Sequence, residues 1–360
     1  MTFDRTIFVT GFPGFIAERL VARLAAPDRQ FFLLVQPQFV DIAMRSVEEI
    51  SRSASVPLAN FALIEGDITK QDLGIEPADL DAIRAETTDV YHLAAIYDLG
   101  VAEAAARVVN VGGTHNVNEF AATLPQLKRY NYVSTCYVAG LRTGRILETE
   151  LTHDAGFRNY YEETKYLAEA EVEKLKETLP VTIFRPSVVV GDSQSGTTAK
   201  YDGIYYLIQY LQKAPSLLRL LNVGNADVRL NLVPVDFVVE GIAALFDDDE
   251  AIGQTIALAD PDPLTTAELF DVIAEKLTGK RSLLAPPAAI IRASLTQSFS
   301  PPITGLPLSA VPYFFVAQTY DTAVANELLG KHGVKCPGFR DYVGKLLEFV
   351  RRHPKLDTLR

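Results

Sequence analysis

The 360 residues are 48% hydrophobic and 22% charged and carry a formal net charge of −11, the balance of a soluble globular chain long enough for one large domain or two joined ones. That acidity argues against non-specific nucleic-acid binding, which needs a basic footprint, and no apolar run reaches the roughly 18 residues of a membrane span. Cys136 and Cys336 are too few for a disulfide framework or a structural zinc site, so the expectation is a reduced, cytoplasmic chain with no signal peptide and no metal.

Apolar runs predict strands at 6–9, 31–35, 61–64, 90–93, 130–134 and 181–184, with helical patterns between them at 102–124 and 160–179. Strands alternating with helices at this spacing specify an α/β fold, a Rossmann-type doubly wound parallel sheet with helices on both faces. The alternation breaks near Gly191. Beyond it lie a polar, glycine-rich stretch (191–203), a helix (204–221), a strand (230–235), a helix (238–246) and a strand (255–259). Thr265 with Glu268 reads as a capping box opening a further helix. The proline-rich stretch 285–312 reads as an irregular flap, and 338–352 as the closing helix. The division expected is a dinucleotide-binding domain over 1–190 and a smaller α/β substrate-binding region over 191–360, with the strand near 255–259 returning to the first sheet.

The first strand runs into Thr10-Gly11-Phe12-Pro13-Gly14-Phe15-Ile16-Ala17. A strand, a glycine turn and a helix are the means of seating a pyrophosphate on free N–H groups at a helix N-terminus. Pro13 has no N–H, so Phe12, Gly14 and Phe15 are expected to supply the donors. Tyr161 and Lys165 stand four residues apart on a predicted helix and share a face; an ammonium beside a phenol favours the phenolate and makes the tyrosine a proton donor and acceptor. Ser134-Thr135-Cys136 ends the strand at 130–134, where ligands of open α/β sheets bind. A hydroxyl there is placed to share charge developing on a substrate oxygen. Each fragment has a plainer reading as turn, surface pair or helix cap. Together they point to hydride transfer at a carbonyl carbon.

The ordered set resembles the extended short-chain dehydrogenase/reductase superfamily, and within it the thioester-reductase and fatty acyl-CoA reductase branch with its male-sterility type of NAD-binding domain. The residues carrying the resemblance are Val9-Thr10-Gly11 with Gly14-Phe15-Ile16, Glu65-Gly66-Asp67-Ile68, His92 through Asp98, Asn110 through Thr114, Val133-Ser134-Thr135, Tyr161 with Lys165, and Arg185-Pro186-Ser187 before Val190-Gly191-Asp192. The resemblance implies Tyr161 as acid/base, Lys165 lowering its pKa and holding the nicotinamide ribose, Thr135 (five residues before Gly140) as the assisting hydroxyl, and Asn110 supporting Lys165 through water. It implies cofactor contacts from Gly11, Phe12, Gly14, Phe15 and Ile16 at the pyrophosphate, and from Asp67 and Ile68 beside the adenine. Ala94 and Ala95 fall on the pyrophosphate and ribose side, and Pro186, Ser187 and Val188 beside the nicotinamide. Substrate contacts are expected from Tyr97, Ser134, Cys136, Tyr137 and Tyr205.

One departure bears on the cofactor. Many relatives carry an Arg directly after the second strand to pair with the 2′-phosphate of NADP; here Val35 is followed by Gln36-Pro37-Gln38. No acidic residue takes the position either, so the usual NAD signature is also missing. With Gln36 at the ribose and Arg45 able to reach back, the balance leans slightly to NADP(H) over NAD(H). Apolar residues at helical spacing (Ile204, Tyr205, Leu207, Ile208, Leu211, with Leu217, Leu218, Leu220 and Leu221 beyond) read as core or as one wall of an apolar substrate groove, with 290–315 as its lid or as a contact patch. The function expected is NAD(P)(H)-dependent reduction of an apolar carbonyl, an acyl thioester (free or carrier-bound) or an aldehyde or ketone. The alternatives on the same scaffold are a hydroxysteroid or ketone dehydrogenase, a sugar-nucleotide epimerase, and a non-catalytic NAD(P)-sensing protein. A homodimer is compatible with the sequence.

Overall fold

Seven parallel strands lie at the centre of this computed structural model, which describes residues 3–213, 221–297, 307–308 and 311–356. In chain order the strands of the chain are β1 (Arg5–Thr10), β2 (Arg29–Val35), β3 (Phe61–Glu65), β4 (Asp89–His92), β5 (Arg129–Val133), β6 (Gly144–Ile146), β7 (Val181–Pro186), β8 (Val188–Val190), β9 (Leu232–Pro234), β10 (Thr255–Leu258) and β11 (Gln318–Tyr320). The main sheet runs β10-β7-β5-β4-β1-β2-β3, while β6 pairs with β11 and β8 with β9 in two separate ribbons. The strand at the expected return position is therefore in the sheet: Thr255 sits opposite Ile183 in parallel register.

Alternation along the strands assigns side chains to two cores. Ile7 and Val9 of β1, with Phe31 and Leu33 of β2, face one layer. Helices α1 (Phe15–Leu24), α2 (Val40–Ala54), α8 (Val235–Ala244) and α11 (Ala323–Lys331) cover it. Phe8, Phe32 and Leu34 face the other, under α3 (Pro77–Glu86), α5 (Gly113–Ala122) and α6 (Tyr160–Leu175). Both layers are closed, as an all-parallel sheet requires. A third core gathers α7 (Ile204–Lys213), α9 (Thr266–Thr278) and α12 (Phe339–Arg352). The first core draws on residues from both sides of position 190, because α8 and α11 return to the sheet.

Local chemistry explains the element ends. Thr265 and Glu268 form the reciprocal capping box at the start of α9, and Gly279 ends it in the left-handed region at φ 74°. The helical stretch expected over 102–124 is broken: α4 (Glu103–Ala106) passes through a π-helical segment, Arg107–Gly112, into α5. The 204–221 helix is seen as Ile204–Lys213, and Leu217, Leu218 and Leu220 lie outside the described residues. Within 285–312 the described part includes α10 (Ala288–Leu295), so that stretch is not wholly irregular. No helix among the described residues is long and apolar enough to cross a membrane.

Candidate active site

The strand order reverses direction between β1 and β4, and the ends of those two strands open a crevice, the place where doubly wound sheets bind ligands. A cavity of about 700 Å³ occupies it. Gly11, Phe12, Gly14, Phe15 and Ile16 form its floor; Gln36, Asp67 and Ile68 line one end, Ala94 and Ala95 the middle, and Thr135, Tyr161, Lys165, Pro186, Ser187 and Val188 the other end. Tyr97, Ser134 and Tyr137 line it as well. Residues named from seven separate stretches of sequence thus line one cavity.

Close backbone packing shapes the glycine turn. A Cβ on Gly11, whose φ is +86°, would stand 2.8 Å from the Ala94 nitrogen, and one on Gly14 would stand 2.6 Å from the Gly11 carbonyl; only glycine fits at either position. The donor set differs from expectation. The Gly14 N–H donates to the Gly11 carbonyl at 2.8 Å and is consumed inside the turn. Helix α1 has no side-chain cap, which leaves the opening N–H groups of Phe15 and Ile16 to meet an anion. At the far end the Ser187 hydroxyl is buried and has no hydrogen-bond partner among the described residues, an orphan that a bound polar group would satisfy. Glycines that no Cβ can replace, free helix N–H groups and this hydroxyl fit a dinucleotide.

The reacting end is built by β5 and α6. Asn159 caps α6 by accepting from the Glu162 N–H at 3.0 Å, and Tyr161, Lys165 and Glu169 then follow on one face. Thr135 leaves β5 with extended backbone, and its Oγ1 accepts from the Tyr137 N–H at 3.1 Å. With its oxygen so used, its proton is free to donate. Burial pushes the Tyr161 phenol above its ordinary pKa, and a hydrogen bond with Thr135 opposes the shift. Lys165 makes no hydrogen bond to that phenol: its Nζ donates to Tyr132 Oη at 2.7 Å and to the Val133 carbonyl at 3.0 Å. Burial brings its own pKa down to about 7, opposed by Glu169. The expected ammonium–phenol pairing is therefore absent from this arrangement, because the amine finds two acceptors on β5.

Four expected residues stand off the cavity. Asn110 is buried in the π-helical segment, where its Oδ1 accepts from the Ile96 N–H at 2.8 Å and its Nδ2 donates to Thr164 Oγ1 at 3.0 Å. It pins the loop after β4 to α6. Cys136 points away from the cavity, its thiol donating to the Arg185 carbonyl at 3.1 Å. Tyr205 is buried in the third core, its hydroxyl accepting from the Gly191 N–H at 2.9 Å. Arg45 is exposed on α2, outside the wall. Ser134 does line the cavity, yet its hydroxyl donates to the buried Glu169 carboxylate.

Three contributors escaped the sequence reading. Glu169 pairs with Arg185 through Nε at 2.9 Å and Nη2 at 2.6 Å; its spacing of four from Lys165 was the available signal. Tyr313 donates to Glu162 Oε1 at 2.6 Å and sets its ring tilted against Tyr137 at 4.7 Å between ring centres, contacts across about 150 positions or more that no local pattern announces. Asp202 lines the cavity at the end where the expected Tyr97 sets its ring edge-on to Tyr161 at 5.5 Å.

With this geometry in hand, residues 9–242 match the family model described as male sterility protein, an NAD-binding domain. The chain belongs to that family. It is an NAD(P)-dependent oxidoreductase domain of the extended short-chain dehydrogenase/reductase type. Among curated relatives, the fatty acyl-CoA reductase wat of Drosophila melanogaster is 25% identical over 277 residues, covering 67% of this chain and 54% of that protein. The glycine betaine reductase ATRR of Emericella nidulans is 25% identical over 291 residues, covering 75% of this chain and 22% of its own length. The chain thus spans about half or less of the length of these relatives. Among solved structures, the terminal R domain from the myxalamid PKS-NRPS pathway superposes with a TM-score of 0.82 at 25% identity, covering 99% of this chain and 93% of that one. The reductase domain of a nonribosomal peptide synthetase from Mycobacterium tuberculosis superposes at 0.73 with 19% identity, covering 99% and 92%, a likeness of fold.

Proposed function

We propose that this domain reduces an apolar carbonyl substrate, an acyl thioester (free or carrier-bound) or an aldehyde or ketone, with Tyr161 as its proton donor. The observation that carries the proposal is that Thr135, Tyr161 and Lys165 line one cavity whose floor is the glycine turn. A bound reduced nicotinamide dinucleotide supplies the hydride. The residues that would hold it are the turn from Gly11 to Ile16 at the pyrophosphate, Asp67 and Ile68 at the adenine, Lys165 at the ribose, and Pro186, Ser187 and Val188 at the nicotinamide.

Tyr161 Oη moves its proton to the carbonyl oxygen. A phenol held neutral by burial is a donor at neutral pH, which suits the reducing direction. Thr135 donates to the same oxygen and shares its developing charge. The cavity wall nearby is apolar and aromatic, with Ile96, Tyr97, Tyr137, Val188 and Val189, and the only cations among the described lining residues are Lys165 and Lys200. That lining supports an apolar acyl chain over a sugar nucleotide, whose second diphosphate calls for guanidinium or several ammonium partners. The names of the relatives, a fatty acyl-CoA reductase and reductase domains of peptide synthetases, support the thioester among the three carbonyl classes.

Loss of reduced-cofactor absorbance, followed across a panel of acyl thioesters, aldehydes and ketones, tests the reading. Consumption with thioesters is expected. In the Tyr161→Phe protein, turnover should fall by about a hundredfold or more while cofactor binding holds. Undiminished turnover in that variant would overturn the acid assignment, and consumption confined to ketones would move the substrate class.

A further inference from the structure

The end of the cavity beyond β2 carries a hydrogen-bond arrangement that bears on which dinucleotide it accepts. Asp67 Oδ1 accepts from the Thr69 N–H at 2.9 Å and from Thr69 Oγ1 at 2.8 Å, while Oδ2 accepts from Gln36 Nε2 at 3.0 Å. Burial raises the Asp67 carboxyl, but the bonds from Thr69 and Gln36 outweigh it and hold the group below its ordinary range. It is ionised at neutral pH and only accepts. That settles which way the Gln36 amide faces: one N–H of Nε2 is given to Asp67, and Oε1 is placed as the acceptor, met in this structure by Gln38 Nε2 at 2.8 Å.

An oriented carbonyl oxygen in a ribose site attracts a hydroxyl and repels phosphate oxygens. It does the work of the acidic residue that ordinarily takes the ribose 2′-hydroxyl after the second strand of such folds. A 2′-phosphate would meet the reverse. No Lys or Arg is among the described residues that line this end, where Gln36 and Asp67 are flanked by Leu34, Phe39, Ile42 and Gly66. Two cations stand nearby and outside the wall, both exposed: Arg45 on α2, and Lys70, close enough for its charge to act on Asp67. We propose that this domain selects NAD(H) over NADP(H), with Gln36, aimed by Asp67, as the residue that sets the preference. The proposal rests on the oxidoreductase reading of the same cavity.

Titration calorimetry of the full chain with NADH and with NADPH, free of any substrate, tests it. NADH should bind about tenfold or more tightly than NADPH, the effect of one well-placed polar contact against one unpaired charge. Gln36→Arg should move the ratio about tenfold or more toward NADPH, because a guanidinium pairs with the phosphate. Asp67→Asn should narrow the preference, since an amide at that position no longer dictates how Gln36 faces. Equal or tighter binding of NADPH by the unaltered protein would overturn the selectivity and leave the oxidoreductase reading standing. Binding of neither cofactor would overturn both. An unchanged ratio in Asp67→Asn, with an unchanged melting temperature, would overturn the aiming role of Asp67.

Discussion

At the scale of single residues, Lys165 shows how a correct spacing leaves a side chain's destination open. Its place on the face it shares with Tyr161 follows from helical periodicity, but a four-carbon stem lets the amine choose among acceptors within its reach. Here it takes Tyr132 Oη and the Val133 carbonyl. Burial there lowers the pKa from an ordinary 10.5 to about 7. The unfolded chain therefore binds this proton up to about pH 10.5 while the native state releases it above about 7. In that window the unfolded state holds more protons, so the contribution of Lys165 to stability rises with pH. Lys165→Met removes the titration. The difference in unfolding free energy between the unaltered protein and the variant should climb by about 1.4 kcal/mol per pH unit across the window. Urea unfolding at pH 7, 8 and 9 reads it directly, and a flat difference would mean the amine is solvated.

At the scale of elements, α6 carries the reacting groups, and what holds it against the sheet decides where they sit. The Glu169 carboxylate is fully buried and takes both Arg185 of β7 and the hydroxyl of Ser134 at the end of β5. One carboxylate thus ties the helix of Tyr161 to the strand of Thr135. Glu169→Ala leaves the Arg185 guanidinium buried without its counter-ion, and the expected cost is about 3–5 kcal/mol in denaturant unfolding. The double replacement Glu169→Leu with Arg185→Met should recover much of that stability, because two apolar side chains carry no desolvation penalty. It should not recover turnover if the tie positions Thr135. Full turnover in the double variant would show that packing alone sets the register. Helices and long strands such as α6, β1 and β2 were legible because their periodicities span many residues. The pairings β6–β11 and β8–β9 were not, since each strand has three residues and its partner lies far along the chain, beyond any local pattern. The π-helical turn at Asn110 was hidden for another reason: an extra residue in a helix leaves no compositional mark.

At the scale of the whole molecule, the glycine turn, Thr135, Tyr161 and Lys165 were read from sequence because each sits at a strand end or on a helix face whose chemistry is local. The division at residue 190 was drawn where the alternation stops, and the first core shows why a break in pattern is not a break in packing: Val238, Ile242, Leu328 and Leu329 pack with Ile7 and Leu20. One buried side chain does much of the joining. Glu148 Oε1 accepts from the Ala257 N–H of β10 at 2.7 Å and from the Ala325 N–H at 3.1 Å, and Oε2 accepts from the Val324 N–H at 2.7 Å. It caps α11 and binds that helix to the sheet edge, while its own carbonyl accepts from Arg185 Nη1 at 3.1 Å. The tie that begins at Ser134 and Glu169 therefore continues through Arg185 and Glu148 to α11. Glu148→Ala strands three N–H groups, two of them in buried residues, at a cost of about 1–3 kcal/mol for each that stays dry. A loss of about 3–5 kcal/mol in urea unfolding is expected, with an unchanged slope if folding stays cooperative. Amide exchange separates this from a general weakening: protection should fall first across 323–331 and at the β10 edge, and then at Ser134, before the strands β1 and β2 change. Uniform loss across the sheet would show that Glu148 contributes to the core as a whole and joins no particular pair of elements.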